Sequence, residues 1–284
     1  MCTVVLLLRP GHALPVLVAA NRDEMLDRAW DPPGAWWPDR PGVVAGRDRS
    51  GGGTWMGVNR HGLVAAVLNR PGSLGPAPGK RSRGKLPLLA LEHGSAAAAA
   101  AAIVALDAGA WRSFNLVLAD RTGAMVLCGL GRGRAETLAL APGLHMVTAH
   151  DPDDLASPRV ARHLPRFVAA PAPDADDWAA WQAILADRAG SAAEQINVVP
   201  RGGFGTVCSA RLALAAGPRA SGAEVHLAAP APGPTPGIAP GIAPGTAPGT
   251  DPAAAPGTPH DAVRWWFAAG PPDIAPFAPV PLPG

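Results

Sequence analysis

The sequence predicts an α+β protein in which helices pack on largely antiparallel sheets. Three observations carry this reading. Short apolar runs divided by Gly-, Pro- and Asn-bearing turns fill the first 70 or so residues. Helical stretches then alternate with further strand-like runs, a succession that describes stacked layers around apolar cores. Finally, 48% of the 284 residues are hydrophobic, enough for a substantial core.

Taken in order, residues 4–8 (VVLLL) and 16–20 (VLVAA) flank Arg9-Pro10-Gly11-His12 and read as a hairpin. Their unbroken apolarity predicts strands covered on both faces. Residues 42–45, 54–58 and 63–68 read as strands, the last two joined by a turn at Asn59-Arg60-His61-Gly62. Residues 86–107 read as helix, interrupted near Gly94-Ser95, with Ser95 suited to cap the second half. Strands resume at 114–119, 124–128 and 144–149. Residues 158–168 and 176–189 are predicted helices; in the second, Trp178, Trp181, Ile184 and Leu185 recur at helical spacing. Phe204–Leu214, 224–228 and Val263–Ala268 complete the strands.

Between the last two lies PGIAPGIAPGTAPGTDPAAAPGT, residues 236–258. Its prolines remove backbone donors and it offers no large side chain to a core, so a solvated coil is expected. The 25 or so residues that follow are too few to fold alone. The chain therefore reads as one domain, 1–284, with a Pro/Gly-rich loop at 230–259 inserted before the last strand. In this reading residues 223–229 pair with 262–268.

The net charge of +2 is small and dispersed. The cluster Lys80-Arg81-Ser82-Arg83-Gly84-Lys85 lacks an aromatic platform, so no nucleic-acid partner is expected. It reads as a solvated loop, with an anion-binding role left open. The start lacks a basic n-region and a full apolar h-region. The longest apolar run, 96–106, is about half a membrane span. A cytoplasmic protein without membrane insertion is the expectation. Cys2, Cys128 and Cys208 suggest neither a disulfide framework nor a CxxC site. The eight histidines show no HExxH or other ligand spacing, so no metal or cofactor is expected. Cys128 reads as core; Cys208 is ambiguous.

Chemistry centres on Cys2. It is either an incidental small residue or, once Met1 is trimmed, the first residue of the mature chain. In the second case its α-amine, with an ordinary pKa of about 7.7–8.0, sits beside a thiol of about 8.5 and can take its proton. Asn21-Arg22-Asp23-Glu24 follows the second apolar run. Antiparallel pairing of the first two strands brings this cluster to Cys2. A carboxylate there can hold the amine, and a guanidinium favours the thiolate. The other reading is a helix start capped by Asn21 or Asp23. Trp55 and the Trp36-Trp37 pair serve either packing or ligand contact.

The segments MCTVV, AANRDEM, GGTWMGVNRHGLVAAVLNRPG, FGTVCSARLAL and HDAVRWWFAAGPP resemble the NRDE-motif family, also called the transport and Golgi organisation protein 2 family. That family is similar to N-terminal-nucleophile (Ntn) hydrolases of the penicillin V acylase and bile-salt hydrolase type. The resemblance implies a four-layer αββα sandwich. By position it assigns Cys2 as nucleophile and Asp23 as the carboxylate that engages it, with Arg22 adjacent. Asn69 lies near the oxyanion-stabilising segment, and Arg211 matches a late arginine. The acylase arginine three residues before the aspartate falls on Ala20, and a Thr-Asn segment falls on Val147-Thr148-Ala149-His150. Asn21, Glu24, Trp55, Asn59 and His150 are the expected substrate contacts. The implied function is an amidohydrolase that cleaves a linear amide or acyl conjugate through an acyl-enzyme. The alternative is a non-enzymatic binding or trafficking protein for a haem-like or acyl-lipid ligand.

Overall fold

The apolar runs become strands of two antiparallel sheets stacked face to face. The computed structural model describes residues 2–174, 177–216 and 263–282. The first sheet contains β1 (Thr3–Leu8), β2 (Val16–Met25), β10 (Gly143–Val147), β11 (Phe204–Leu214), β12 (Val263–Ala268) and β13 (Ala278–Pro279), in the order β10-β1-β2-β11-β12-β13. The second contains β3 (Trp30–Gly34), β4 (Val43–Asp48), β5 (Met56–Asn59), β6 (Val64–Asn69), β7 (Phe114–Asp120), β8 (Gly123–Gly129) and β9 (Glu136–Ala139), in sequence order. Helices α1 (Lys85–Ala90) and α2 (Ala96–Val104) cover the second sheet; α3 (Pro158–Ala169) and α4 (Ala179–Leu185) cover the first.

Three apolar cores separate these four layers. Between the sheets, Val4, Leu6 and Val18 meet Val44, Val58, Val64 and Val126. Under α1 and α2, Leu86 and Ile103 pack on Leu116 and Leu118. Under α3 and α4, Val160 and Trp181 pack on Val5, Leu17 and Ala213. Alternate residues of β1 thus enter different cores, which is why its sequence shows no polar alternation. The result is a four-layer αββα sandwich.

Several expectations are refined. The 86–107 helix is two helices, and Ser95 caps the second by accepting from Ala98 N at 3.2 Å. The 176–189 helix is only Ala179–Leu185, because Asp187 turns the chain by accepting from Ala189 N at 2.7 Å. Strands β3, β9 and β13 were not expected. All three are sheet-edge strands, and edges lack the buried apolar run that marks a strand: β3 carries Pro32-Pro33 and β9 is exposed throughout.

Strand β12 pairs with β11, Ser209 opposite Ala268 through Leu214 opposite Val263. β11 is long enough to bond β2 and β12 on its two edges. Residues 223–229 and the 230–259 loop lie outside the described residues. Among the described residues no helix is long and apolar enough to cross a membrane.

Candidate functional site

The four polar residues expected beyond the second strand lie inside it. β2 runs to Met25, so Asn21, Arg22, Asp23 and Glu24 alternate between its faces. Strand β1 pairs on one side, with Thr3 opposite Asn21, and β11 on the other, with Cys208 opposite Arg22. Cys2, one residue before β1, therefore stands beside the motif. Its thiol donates to the Asp23 carbonyl oxygen at 3.6 Å.

On the outer face, toward α3, the side-chain oxygens and amide nitrogen of Asn21 and Asp23 are all engaged. Asp23 Oδ2 receives Arg159 Nη1 at 2.9 Å, and Asp23 Oδ1 receives the Thr206 hydroxyl at 2.7 Å. The same Arg159 nitrogen reaches Thr3 Oγ1 at 3.0 Å. Both members of the ion pair are sequestered, with side chains 0% and 2% exposed. Asn21 Nδ2 donates to the carbonyls of Leu185 and Ile196, each at 2.9 Å, and its Oδ1 accepts from Ser209 Oγ at 2.7 Å. Asn21 therefore clamps the α4 end to the sheet. Sequence reasoning did not identify Arg159. It lies 136 residues from Asp23, in the first turn of an arginine-bearing helix, where no local pattern marks it.

The inner face, between the sheets, is open. A small cleft with about 20 Å³ of water-accessible space, open to solvent at its mouth, is lined by Cys2, Arg22, Trp55, Leu68, Cys208 and Phe267 among others. The Arg22 guanidinium lies 4.3 Å over the Trp55 ring and 3.7 Å from Glu24 Oε2. Its Nη1 is buried without a hydrogen-bond partner among the described residues. Trp55 meets Trp30 edge-on at 5.7 Å, and Trp30 meets Phe267 at 5.9 Å. Gly46 makes this arrangement possible, since a Cβ there would lie 2.3 Å from the Trp55 ring. Burial raises the Cys2 thiol pKa, and the Asp23 charge raises it further. Burial also pushes Cys208 up to about 12. Both sulfurs are thus protonated at neutral pH, and neither is a resident thiolate.

The remaining candidates divide. Asn69 ends β6 one residue beyond Leu68, and its side-chain amide makes no hydrogen bond among the described residues. Glu24 lies between Arg22 and Arg28, 3.7 and 3.6 Å from them. β10 is antiparallel to β1, with Val4 opposite Val147, so the chain to His150 runs past the start of β1. His150 itself faces Asp154 at 3.6 Å. Asn115 ties this segment down by donating to the carbonyls of Thr148 at 2.9 Å and His150 at 2.6 Å.

Two expected residues stand elsewhere. Asn59 binds the carbonyls of Leu91 and His93 and the amides of His61 and Leu63, closing the β5–β6 turn against the end of α1. Arg211 points to the helix side of β11, among the rings of Trp266, Phe277 and Trp178 at 4.8, 5.3 and 5.8 Å. Strand alternation dictates this: Ala210 and Leu212 face the inter-sheet core, so Arg211 cannot. Among the described residues no group of three or more His, Cys, Asp or Glu side chains is placed to hold a metal ion.

The layered sheets define the Ntn-hydrolase fold. Over 74% of this chain and 92% of its own, the Caenorhabditis elegans N-acylethanolamine-hydrolyzing acid amidase (NAAA) ortholog superposes with a TM-score of 0.52 at 11% identity, a likeness of fold. Within that fold the chain belongs to the Transport and Golgi organisation 2 (TANGO2) family, whose model matches residues 1–175. It is 32% identical over 145 residues to the Transport and Golgi organization protein 2 homolog of Bos taurus, covering 47% of this chain and 50% of that protein. The Homo sapiens homolog is 29% identical over 142 residues, with the same coverage. The chain thus spans about half the length of the curated relatives it matches.

Proposed function

We propose that this protein is an N-terminal-cysteine amidohydrolase that cleaves a linear amide or acyl conjugate. The observation that carries the proposal is Cys2 at the lip of an apolar cleft, beside the strand that holds Asp23 in a buried ion pair. Removal of Met1 would free the Cys2 α-amine. Because the thiol is protonated at rest, the reaction needs a base, and that amine is the nearest one the chain can supply. Asp23, itself fixed by Arg159 and Thr206, holds the amine in place.

In the first step the amine takes the thiol proton while sulfur bonds to the carbonyl carbon and the π pair moves to oxygen. Asn69 and backbone amides donate to that oxygen. The intermediate collapses by breaking the C–N bond, and the ammonium returns its proton to the leaving amine. Water then attacks the thioester and gives its proton to the α-amine; the C–S bond breaks, and the ammonium returns that proton to the departing sulfur, which restores the thiol and the free amine. The apolar walls suit an acyl chain.

Intact mass should show Met1 absent. The trimmed protein should release amine from N-dodecanoyl amides, and Cys2→Ala should lose at least a thousandfold in kcat/KM with an unchanged melting temperature. A chain that retains Met1, or equal turnover in Cys2→Ala, refutes the mechanism. Absence of turnover combined with tight acyl-chain binding would point instead to a carrier.

A further inference from the structure

Close enough to Cys2 for their charges to interact stands a cation that the mechanism does not use. Arg83 lies in the basic loop before α1, and three contacts fix its place. Gly84 O accepts from Thr54 N at 2.9 Å, immediately before the cleft residue Trp55. A Cβ on Gly53 would lie 2.4 Å from the Gly84 carbonyl carbon, so the loop is pressed against the Trp55 strand. Arg83 Nη1 donates to Ser73 O at 2.6 Å and more weakly to Ser113 O at 3.4 Å, beyond the end of β6 and before β7. All of these segments lie at the end of the second sheet that faces Cys2.

The rest of the guanidinium is free. Its Nε and Nη2 have no protein partner among the described residues and are not among the buried unpartnered atoms, so they reach solvent. No carboxylate pairs with Arg83 among the described residues; Glu24 and Asp48 are taken by Arg28, at 3.6 and 2.7 Å. Arg112 adds a second positive charge behind it, its Nη2 held on Gly72 O at 2.6 Å and its Nη1 on Pro76 O at 3.2 Å. Burial and the Arg112 charge lower the Arg83 pKa to about 10, while the Cys2 sulfur and Glu24 lie close enough to oppose that shift. A half-buried cation near the charges of Arg112 and Arg28, with no carboxylate in contact and only the more distant Glu24 opposing them, is a site prepared for an anion.

We propose that Arg83 receives an anionic group on the leaving-amine side of the substrate. This deepens the hydrolase reading and rests on it. The acyl chain enters the apolar cleft beyond Cys2, which leaves the amine portion near Cys2, where Arg83 presents two open N–H donors. The substrate class is an acyl amide whose amine carries a carboxylate or a phosphate. A neutral amine would leave the cation solvated and unused.

Three probes distinguish the sources: N-dodecanoyl glycine, N-dodecanoyl-O-phosphoethanolamine and neutral N-dodecanoyl ethanolamine. The wild-type chain should prefer at least one anionic probe by about tenfold in kcat/KM, the scale of a charge-assisted hydrogen bond. The better anion identifies the source. Raising ionic strength should erode that preference without any substitution. Arg83→Gln should reduce it to within twofold, and Arg83→Lys should retain part of it. The same three probes titrated into Cys2→Ala by tryptophan fluorescence separate binding from turnover. Anionic preference there supports the site even if the wild type hydrolyses nothing, in which case only the catalytic reading fails. Equal use of all three probes, an unchanged ratio in Arg83→Gln, or no binding of any probe overturns the proposal.

Discussion

The two faces of β2 carry adjacent residues of one motif and behave oppositely. Toward α3, Asn21 and Asp23 are buried and hydrogen-bonded to partners from β11, α3 and the segments after α4. Toward the facing sheet, Arg22 stacks on one aromatic ring, keeps one nitrogen without a partner, and borders an apolar cleft with two thiols. Burial without partners is costly, so the outer face reads as a clasp that fixes the strand. The inner face retains unmet hydrogen-bonding capacity, and that is where a substrate would find it. The contrast teaches that a polar cluster in sequence need not act as a unit: in a strand, neighbours serve different layers.

The contrast breaks most visibly at Asp23. Replacing it by Ala removes the carboxylate that binds Arg159, and Arg159→Met removes the guanidinium that binds Asp23, in each case inside the buried layer. Each should cost about 3–5 kcal/mol, read as a drop of roughly 10 °C in melting temperature. The double variant Asp23→Leu/Arg159→Met should be markedly less destabilised than the sum of the singles. Additive losses would show that the pair is not coupled, and the clasp description would have to be abandoned.

Much of this arrangement was legible in the sequence. Runs such as VVLLL and VLVAA mark doubly covered strands because burial on both faces leaves a continuous apolar trace. The hairpin between them sufficed to place the NRDE stretch beside Cys2. The resemblance that placed Arg211 at the site did not read the face it occupies: Ala210 and Leu212 face the inter-sheet core, so strand alternation turns Arg211 away from it. What was not legible depends on long-range meetings. Arg159 meets Asp23 across 136 residues of chain. Arg83 sits beside the Trp55 strand only because Gly53 and Gly84 allow two loops to close together. Edge strands escaped because exposure removes their pattern, as in ETLA of β9.

Two histidines sharpen the comparison between closed and open environments, with a smaller effect that depends on pH. His163 on α3 donates from Nε2 to Glu194 O at 2.9 Å, and its Nδ1 faces Arg166 Nη1 at 3.0 Å, which fixes the neutral ring. Burial lowers its pKa to about 4. The unfolded chain takes up this proton near 6.5, so native stability should fall as pH drops from about 6.5 toward 4, by on the order of 1–3 kcal/mol. His145 on the edge strand β10 is the reverse. Its ring bonds Asp153 at 2.6 Å and Ala141 O at 2.8 Å, and the carboxylate raises its pKa. Its contribution is complete below the unfolded value and disappears as pH rises through the folded one. Urea unfolding from pH 4 to 8 should show His163→Gln flattening the acid loss and His145→Gln removing a stabilisation present only on the acid side. The same sign for both would contradict the difference in their surroundings.

The smallest effect on stability belongs to Arg22, and it tests the inner face most directly. Arg22→Leu removes a cation–π contact at 4.3 Å and an ion pair at 3.7 Å, and it adds apolar surface beside Trp55. These changes oppose one another, so unfolding free energy should move by less than about 1 kcal/mol. The thiols should respond instead. The Arg22 charge lowers the pKa of both Cys2 and Cys208 against their burial, so its removal should raise both. Peptide mass spectrometry of iodoacetamide-treated protein should place the alkylation midpoint of Cys2 at higher pH in the variant. If Arg22→Leu instead lowered the melting temperature as far as Asp23→Ala, the guanidinium would be holding the sheets together. The two faces of the strand would then do the same work, and the unfilled hydrogen-bonding capacity of Arg22 would no longer mark a place for substrate.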